Sequence, residues 1–140
     1  MVRTRPTYGR KKTMNPVVHF EMPCKDRDRV AAFYNTAFGW KMHNLGEEMD
    51  NYVLAETGET GENGRPKEPG VINGGFYPES PEAAPHPSVV IAVADIVQAM
   101  AAVTKAGGTV LGEPHAIPGI GQYVAFVDTE GNRASILQGE

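Results

Sequence analysis

From Pro16 onward, apolar and polar positions follow regular periods. Over 17–22 they alternate, so a strand there carries Val18, Phe20 and Met22 on one face and Val17, His19 and Glu21 on the other. Asp26 then stands where a helix N-cap belongs. Behind it Val30, Phe33, Tyr34, Ala37 and Phe38 recur at helical spacing, a stripe read as core, and Gly39 ends the helix. Segments 40–43 and 51–56 read as a second and a third strand, and the polar, Gly- and Glu-rich stretch 57–70 as an exposed loop. A fourth strand over 71–77 is interrupted by Gly74 and Gly75, the mark of a bulge or of close backbone approach. Pro78, Pro81, Pro85 and Pro87 then fall in an aperiodic stretch, 78–87, that reads as a linker.

The same order begins again. A strand over 89–93 is followed by Asp95 as a cap with Gln98 three residues on, and Val97, Met100, Ala101 and Val103 mark an amphipathic helix. Gly107 and Gly108 close it, and a further strand starts at 109–111. Strands over 122–128 and 134–138 are joined by the turn Asp128-Thr129-Glu130-Gly131-Asn132. Asp26 and Asp95 are 69 positions apart, as are Gly39 and Gly108. The pattern predicts an α+β fold of two tandem β-α-β-β-β modules, 16–77 and 88–138, that join in a cupped, mostly antiparallel eight-stranded sheet within one domain over 15–140. A concave sheet of that kind suits a small ligand.

Composition narrows the classes. The chain has 140 residues, enough for one ordinary domain. It is 41% hydrophobic and 21% charged, with no apolar run long enough for a membrane span and no apolar core of a secretory signal near its start. A lone cysteine, Cys24, excludes an internal disulfide and fits a reducing cytoplasm. Charge is uneven. Residues 1–13 contain Arg3, Arg5, Arg10, Lys11 and Lys12 and no acid, while the whole chain carries −4. Residues 1–14 read as a disordered basic tail, with a grip on phosphates or acidic lipids as the alternative. The acidic body argues against a nucleic-acid partner, and the lack of an apolar span against a membrane one.

The segment His19-Phe20-Glu21-Met22-Pro23-Cys24-Lys25-Asp26, with Ala32-Phe33-Tyr34 and Phe38-Gly39-Trp40, resembles the opening of the vicinal oxygen chelate superfamily. That superfamily includes glyoxalase I, bleomycin-resistance proteins and extradiol dioxygenases. Val93-Ala94-Asp95-Ile96, Ala106-Gly107-Gly108 and Asp128-Thr129-Glu130-Gly131-Asn132 resemble its second half. Ile72-Asn73-Gly74-Gly75 and Ile117-Pro118-Gly119-Ile120-Gly121 are similar to a bacterial branch labelled lactoylglutathione lyase-like. The resemblance covers 16–138 and implies one metal ligand on the first and one on the fourth strand of each module. His19 fits the first of these. The repeat offset carries it onto Ser88, the fourth strand of the first module offers Gly74 to within a residue, and the last strand offers Ser135. Serine hydroxyls and glycine are poor partners for a divalent transition metal. No metal or other cofactor is therefore expected, and His19 with Glu21 are the only candidates to hold a divalent ion.

The same two residues are the candidate catalytic pair, since a histidine near its ordinary pKa is a competent acid or base without metal. Tyr52, Asn73, Ser88, Tyr123 and Ser135 are the candidate ligand-binding residues. Tyr52 and Tyr123 fall on expected strands, where alternation aims them either into the cleft or into the core. Asn73 either orients a ligand carbonyl or satisfies backbone at a bulge, and Gly119-Ile120-Gly121 is either a lid or a hairpin connection. Cys24 lacks a base and an oxyanion site in its neighbourhood and reads as structural. Three functions stay open. The first is a small-molecule-binding protein without a metal centre. The second is a lyase or isomerase resembling glyoxalase I that acts on a small carbonyl compound. The third is a non-catalytic dimeric scaffold. The resemblance also implies a homodimer, with modules paired within or between chains.

Overall fold

The two capping aspartates set the frame. Asp26 Oδ1 accepts from the Arg29 N–H and Asp95 Oδ1 from the Gln98 N–H, each at 3.0 Å, which satisfies donors left over at a helix start. The computed structural model describes residues 14–140; the basic segment 1–13 lies outside them. In chain order the elements are β1 (Val17–Cys24), α1 (Arg27–Phe38), β2 (Lys41–Asn44), a 3-10 turn (Glu47–Met49), β3 (Val53–Glu56) and β4 (Asn73–Pro78). The second set is β5 (Ser88–Val93), α2 (Ile96–Lys105), β6 (Thr109–Ile117), β7 (Gly121–Val127) and β8 (Arg133–Gly139).

All eight strands form one sheet in the order β2-β3-β4-β1-β5-β8-β7-β6. β1 pairs parallel with β4, and β5 with β8; the other five pairings are antiparallel. The halves meet at β1 and β5, where Phe20 lies opposite Val89. Those two residues are related by the 69-residue offset read from the caps. The pseudo-twofold axis of the repeat therefore passes between them. It follows that Ser88, the counterpart of His19, faces Glu21 across the strands.

Each module buries one sheet face under its helix. Cys24, Val53, Ala55 and Phe76 form the first core, with Phe20, Met22, Val30, Tyr34 and Trp40 packed on it. Ile96, Val124 and Ile136 form the second, with Val103, Val110 and Phe126 around it. The opposite face carries His19, Glu21, Tyr123 and Ser135. A flat sheet would hold β1 and β7, three strands apart, about 14 Å from each other. Glu21 and Tyr123 nonetheless share a hydrogen bond of 2.6 Å. The sheet must curl to allow it, and the helix-free face is the inside of a cup.

Several local expectations are corrected. Phe33 and Phe38, read as core, are 57% and 64% exposed. Only Val30, Ala31 and Tyr34 of α1 pack on the core, the Tyr34 ring stacking on Trp40 at 4.6 Å. Phe33 sits off that line of the helix, and Phe38 is its last residue. The third strand begins at Val53 and not at 51, because Asp50 and Asn51 adopt left-handed φ values of 54° and 59° that no strand accommodates. Gly39 ends α1 in the left-handed region, but its numerical counterpart Gly108 does another job. Gly107 takes the positive φ there, while a Cβ on Gly108 would stand 2.8 Å from the Val127 carbonyl oxygen. The strand expected at 109–111 runs on to Ile117 through a register shift after Leu111, and Ile117 pairs with Gly121 as a hairpin connection.

Candidate functional site

Strand alternation places His19 and Glu21 inside the cup, and both find partners there. Glu21 accepts from the Tyr123 hydroxyl at 2.6 Å through Oε1 and from the Tyr52 hydroxyl at 3.4 Å through Oε2. The Ser135 hydroxyl donates to the Tyr123 oxygen at 2.6 Å. His19 Nε2 lies 2.9 Å from the Tyr52 oxygen. A phenol has one proton, so with Tyr52 donating to Glu21 the histidine bonds it as the Nε2–H tautomer. The result is a chain of donors, from His19 through Tyr52 and from Ser135 through Tyr123, that converges on one carboxylate.

Burial sets the electrostatics. It pulls His19 down to about 4, so the imidazole is neutral at pH 7. It pushes Glu21 above the ordinary glutamate range, against the hydrogen bonds from Tyr123 and Tyr52 and the charge of Arg133, which act the other way. Both tyrosines are raised, first by burial and then by the neighbouring carboxylate. Neither phenol ionises at neutral pH, and both remain hydrogen-bond donors.

Sheet register explains how the tyrosines reach the acid. Tyr123 stands on β7 opposite Leu137 and points to the same side as Ser135. Tyr52 does not lie on a strand as expected. It follows the left-handed pair Asp50 and Asn51, and its N–H bonds the Met49 carbonyl at 3.0 Å while its own carbonyl accepts from Leu45 at 2.9 Å. This turn swings the ring across β4. A Cβ on Gly75 would lie 2.1 Å from Tyr52 ring atoms, so the absence of a side chain there makes room for the phenol.

The remaining candidates divide. Ser88 faces Glu21 across the β1–β5 pairing. Asn73 lies beside His19, but its Oδ1 accepts from the Thr57 N–H at 2.9 Å and its amide reaches Thr60, so the side chain ties β4 to the loop before it. Gly74, the nominal ligand position, looks the other way: a Cβ there would strike the Phe20 ring in the core. Of the two glycines, Gly75 is the one that faces the cup. Of the other histidines, His115 is drawn near Tyr123, with ring centroids 5.4 Å apart, whereas His43 pairs with Glu56 and His86 lies on the Pro-rich loop. Cys24 is buried in the core with its thiol pushed up by burial, which suits a structural role.

The metal centre implied by the resemblance does not fit these residues. His19 and Glu21 are the two strong donors, and the positions that would complete the set are Gly75, Ser88 and Ser135. Among the described residues, no three of His, Cys, Asp and Glu gather at one point. Both Glu21 oxygens are already engaged by phenols, and the Tyr52 ring fills the space over Gly75. A catalytic divalent transition metal is held by about three imidazole, carboxylate or thiolate donors, and this cup supplies two.

Two residues escaped the sequence reading. Arg133 opens β8 two positions before Ser135, on the same side, and its charge acts on Glu21, Tyr77 and Tyr123. Tyr77, on β4 two positions after Gly75, donates to the Ala84 carbonyl at 2.6 Å and pins the Pro-rich loop to the cup wall. Strand alternation alone puts both on the cup side; neither carries a motif.

The profile of a family described as bleomycin resistance protein-like N-terminal matches residues 17–58. Among solved structures, a methylmalonyl-CoA epimerase in complex with methylmalonyl-CoA and NH4+ is similar over 91% of this chain and 96% of its own, with TM-score 0.66 and 16% identity. A Streptomyces coelicolor methylmalonyl-CoA epimerase variant in complex with 2-nitronate-propionyl-CoA is similar over 91% and 99%, with TM-score 0.67 and 15% identity. Methylmalonyl-CoA epimerase from Mycobacterium tuberculosis is similar over 89% and 87%, with TM-score 0.65 and 10% identity. No curated protein matches the sequence. At these identities the likeness is one of fold. No helix among the described residues is long and apolar enough to cross a membrane.

Proposed function

We propose that this chain is a member of the vicinal oxygen chelate superfamily, as its fold and its bleomycin-resistance-like segment support, and a small-molecule-binding protein that works without the metal centre the resemblance implies. The observation that carries the reading is the convergence of Tyr52, Tyr123 and, through Tyr123, Ser135 on the Glu21 carboxylate inside the cup. Such a constellation offers hydrogen-bonding groups beside aromatic faces, the usual furniture of a small-ligand site. The homodimer and the cytoplasmic setting expected from the sequence belong to the same proposal. Elemental analysis of tag-free protein, before and after exposure to Ni²⁺, Zn²⁺, Fe²⁺ or Mn²⁺ and desalting, tests it. The expected result is metal far below one equivalent per chain. Near-stoichiometric metal that disappears in His19→Ala overturns the metal-free reading.

One observation favours a second reading, a lyase or isomerase that moves a proton without metal. Glu21 is buried and raised above the ordinary range, the condition that suits a carboxylate to act as a base near neutral pH. In that case Glu21 takes the proton next to a carbonyl, and the Tyr52 and Tyr123 hydroxyls are free to turn toward the oxygen that gains charge. NMR of methylmalonyl-CoA in D2O with the protein separates the readings. Deuterium entering at the carbon next to the thioester, lost in Glu21→Gln, supports catalysis on that substrate class.

A further inference from the structure

The cup holds a guanidinium that nothing in it answers. Val90 pairs with Ser135, and the parallel register of β5 and β8 carried two positions back sets Arg133 beside Ser88. Ser88 in turn faces Glu21, and Glu21 sits beside Gly75. Gly75, Glu21, Ser88 and Arg133 thus form one row across the inner face, with an acid and a base separated by one short side chain. Among the described residues the ion pairs are His43 with Glu56 and Lys67 with Glu59, and Arg133 takes part in neither. It also makes no side-chain hydrogen bond there. Glu21, the acid nearest to it in the row, has both oxygens turned to tyrosines.

Arg133 is half-buried, and its charge acts on Glu21, Tyr77 and Tyr123, residues of three separate strands. That reach puts the guanidinium over the cup and not out in solvent beyond the sheet. A guanidinium offers five donors in a planar fork that matches a carboxylate two-to-two. Partly withdrawn from water and with no acceptor among the described residues, it forgoes hydrogen bonds that an anionic ligand restores. We propose that Arg133 is the anchor for the carboxylate of a small organic acid, whose body lies over Ser88 between Tyr77 and Tyr123. With serine at 88, only a short side chain stands between Glu21 and Arg133 in the row. The inference rests on the cup being a binding site and names the class of molecule it takes.

Matched acids and amides test it, because the two differ in charge and hardly in shape. Benzoate and benzamide, with butyrate and butyramide as a second pair, are titrated by ligand-observed NMR into wild type, Arg133→Gln and Arg133→Lys, each checked for folding by its urea midpoint. Wild type is expected to bind each acid about ten-fold more tightly than its amide. Arg133→Gln brings the acid to the amide's affinity, and Arg133→Lys retains part of the preference. Equal affinities in wild type, or a preference that survives in Arg133→Gln, overturn the anchor and leave the cup as a binding site for neutral molecules. Saturation by neither acid nor amide at concentrations on the order of 10 mM overturns the anchor and the binding reading together.

Discussion

Tyr123→Phe removes one oxygen from the cup and keeps the ring. That oxygen makes two hydrogen bonds of 2.6 Å, donating to Glu21 and accepting from Ser135. With Glu21 ionised, the first is a bond to a charged group, worth about 1.5–3 kcal/mol. The second leaves the Ser135 hydroxyl, in a residue only 3% exposed, without its acceptor, a further loss of about 1 kcal/mol. The glutamate has an escape that the serine lacks: it can bind a proton. The expected cost at pH 7 is therefore about 2–4 kcal/mol, large against the 5–15 kcal/mol that holds an ordinary domain together.

The assay is urea unfolding of wild type, Tyr123→Phe, Ser135→Ala and the double variant, with the midpoint lowered and the slope unchanged. The double variant is expected to recover about 1 kcal/mol relative to the sum of the single ones, because the stranded hydroxyl is gone. The cost of Tyr123→Phe should also shrink in acid, as the carboxylate it serves takes up a proton and the bond becomes one between neutral groups. A loss below about 0.5 kcal/mol, additive with Ser135→Ala and flat with pH, would refute the network as a structural unit.

How far the sequence reveals this site depends on distance along the chain. Alternation over 17–22 is enough to put His19 and Glu21 on one face, and two aspartates 69 apart are enough to find the repeat. The offset even has a geometric meaning, since it marks Phe20 and Val89 as the pair on the symmetry axis. Tyr52 is different. Its aim depends on two consecutive left-handed residues, Asp50 and Asn51; the pair is a turn signal at what alternation reads as the start of a strand, and the letters alone do not say where the turn sends the next ring. The Tyr123–Glu21 bond spans 102 positions and exists only because the sheet curls. Gly74 and Gly75 look interchangeable as letters, yet one accommodates Phe20 in the core and the other Tyr52 in the cup. Only the sheet's register distinguishes them. Arg133 is hidden by the opposite problem: an arginine at a strand end is commonplace until its surroundings show no acceptor for it among the described residues.

Two further substitutions follow from the same geometry. Gly75→Ala puts a methyl group where the Tyr52 ring lies, at 2.1 Å from its nearest atoms, so the ring must leave and both its hydrogen bonds go with it; a loss of about 1–3 kcal/mol is expected in urea unfolding, and a midpoint equal to wild type rejects the packing. His19 makes a prediction about acid. Its folded value of about 4 lies below the unfolded 6.5, so between those limits the unfolded chain binds the extra proton. The stability that neutral His19 contributes is complete above pH 6.5 and is lost as the pH falls toward 4, by roughly 3 kcal/mol in total. Glu21 acts in the opposite sense, because a raised carboxyl favours the folded state once protonated. The two are separated by comparing wild type with His19→Gln, which keeps a side chain able to meet Tyr52 but does not titrate. The difference in unfolding free energy between the two proteins should shift steadily against wild type from pH 6.5 to pH 4. A difference that stays constant across that range means that His19 is protonated as easily in the cup as in water, and the buried, neutral imidazole is then wrong.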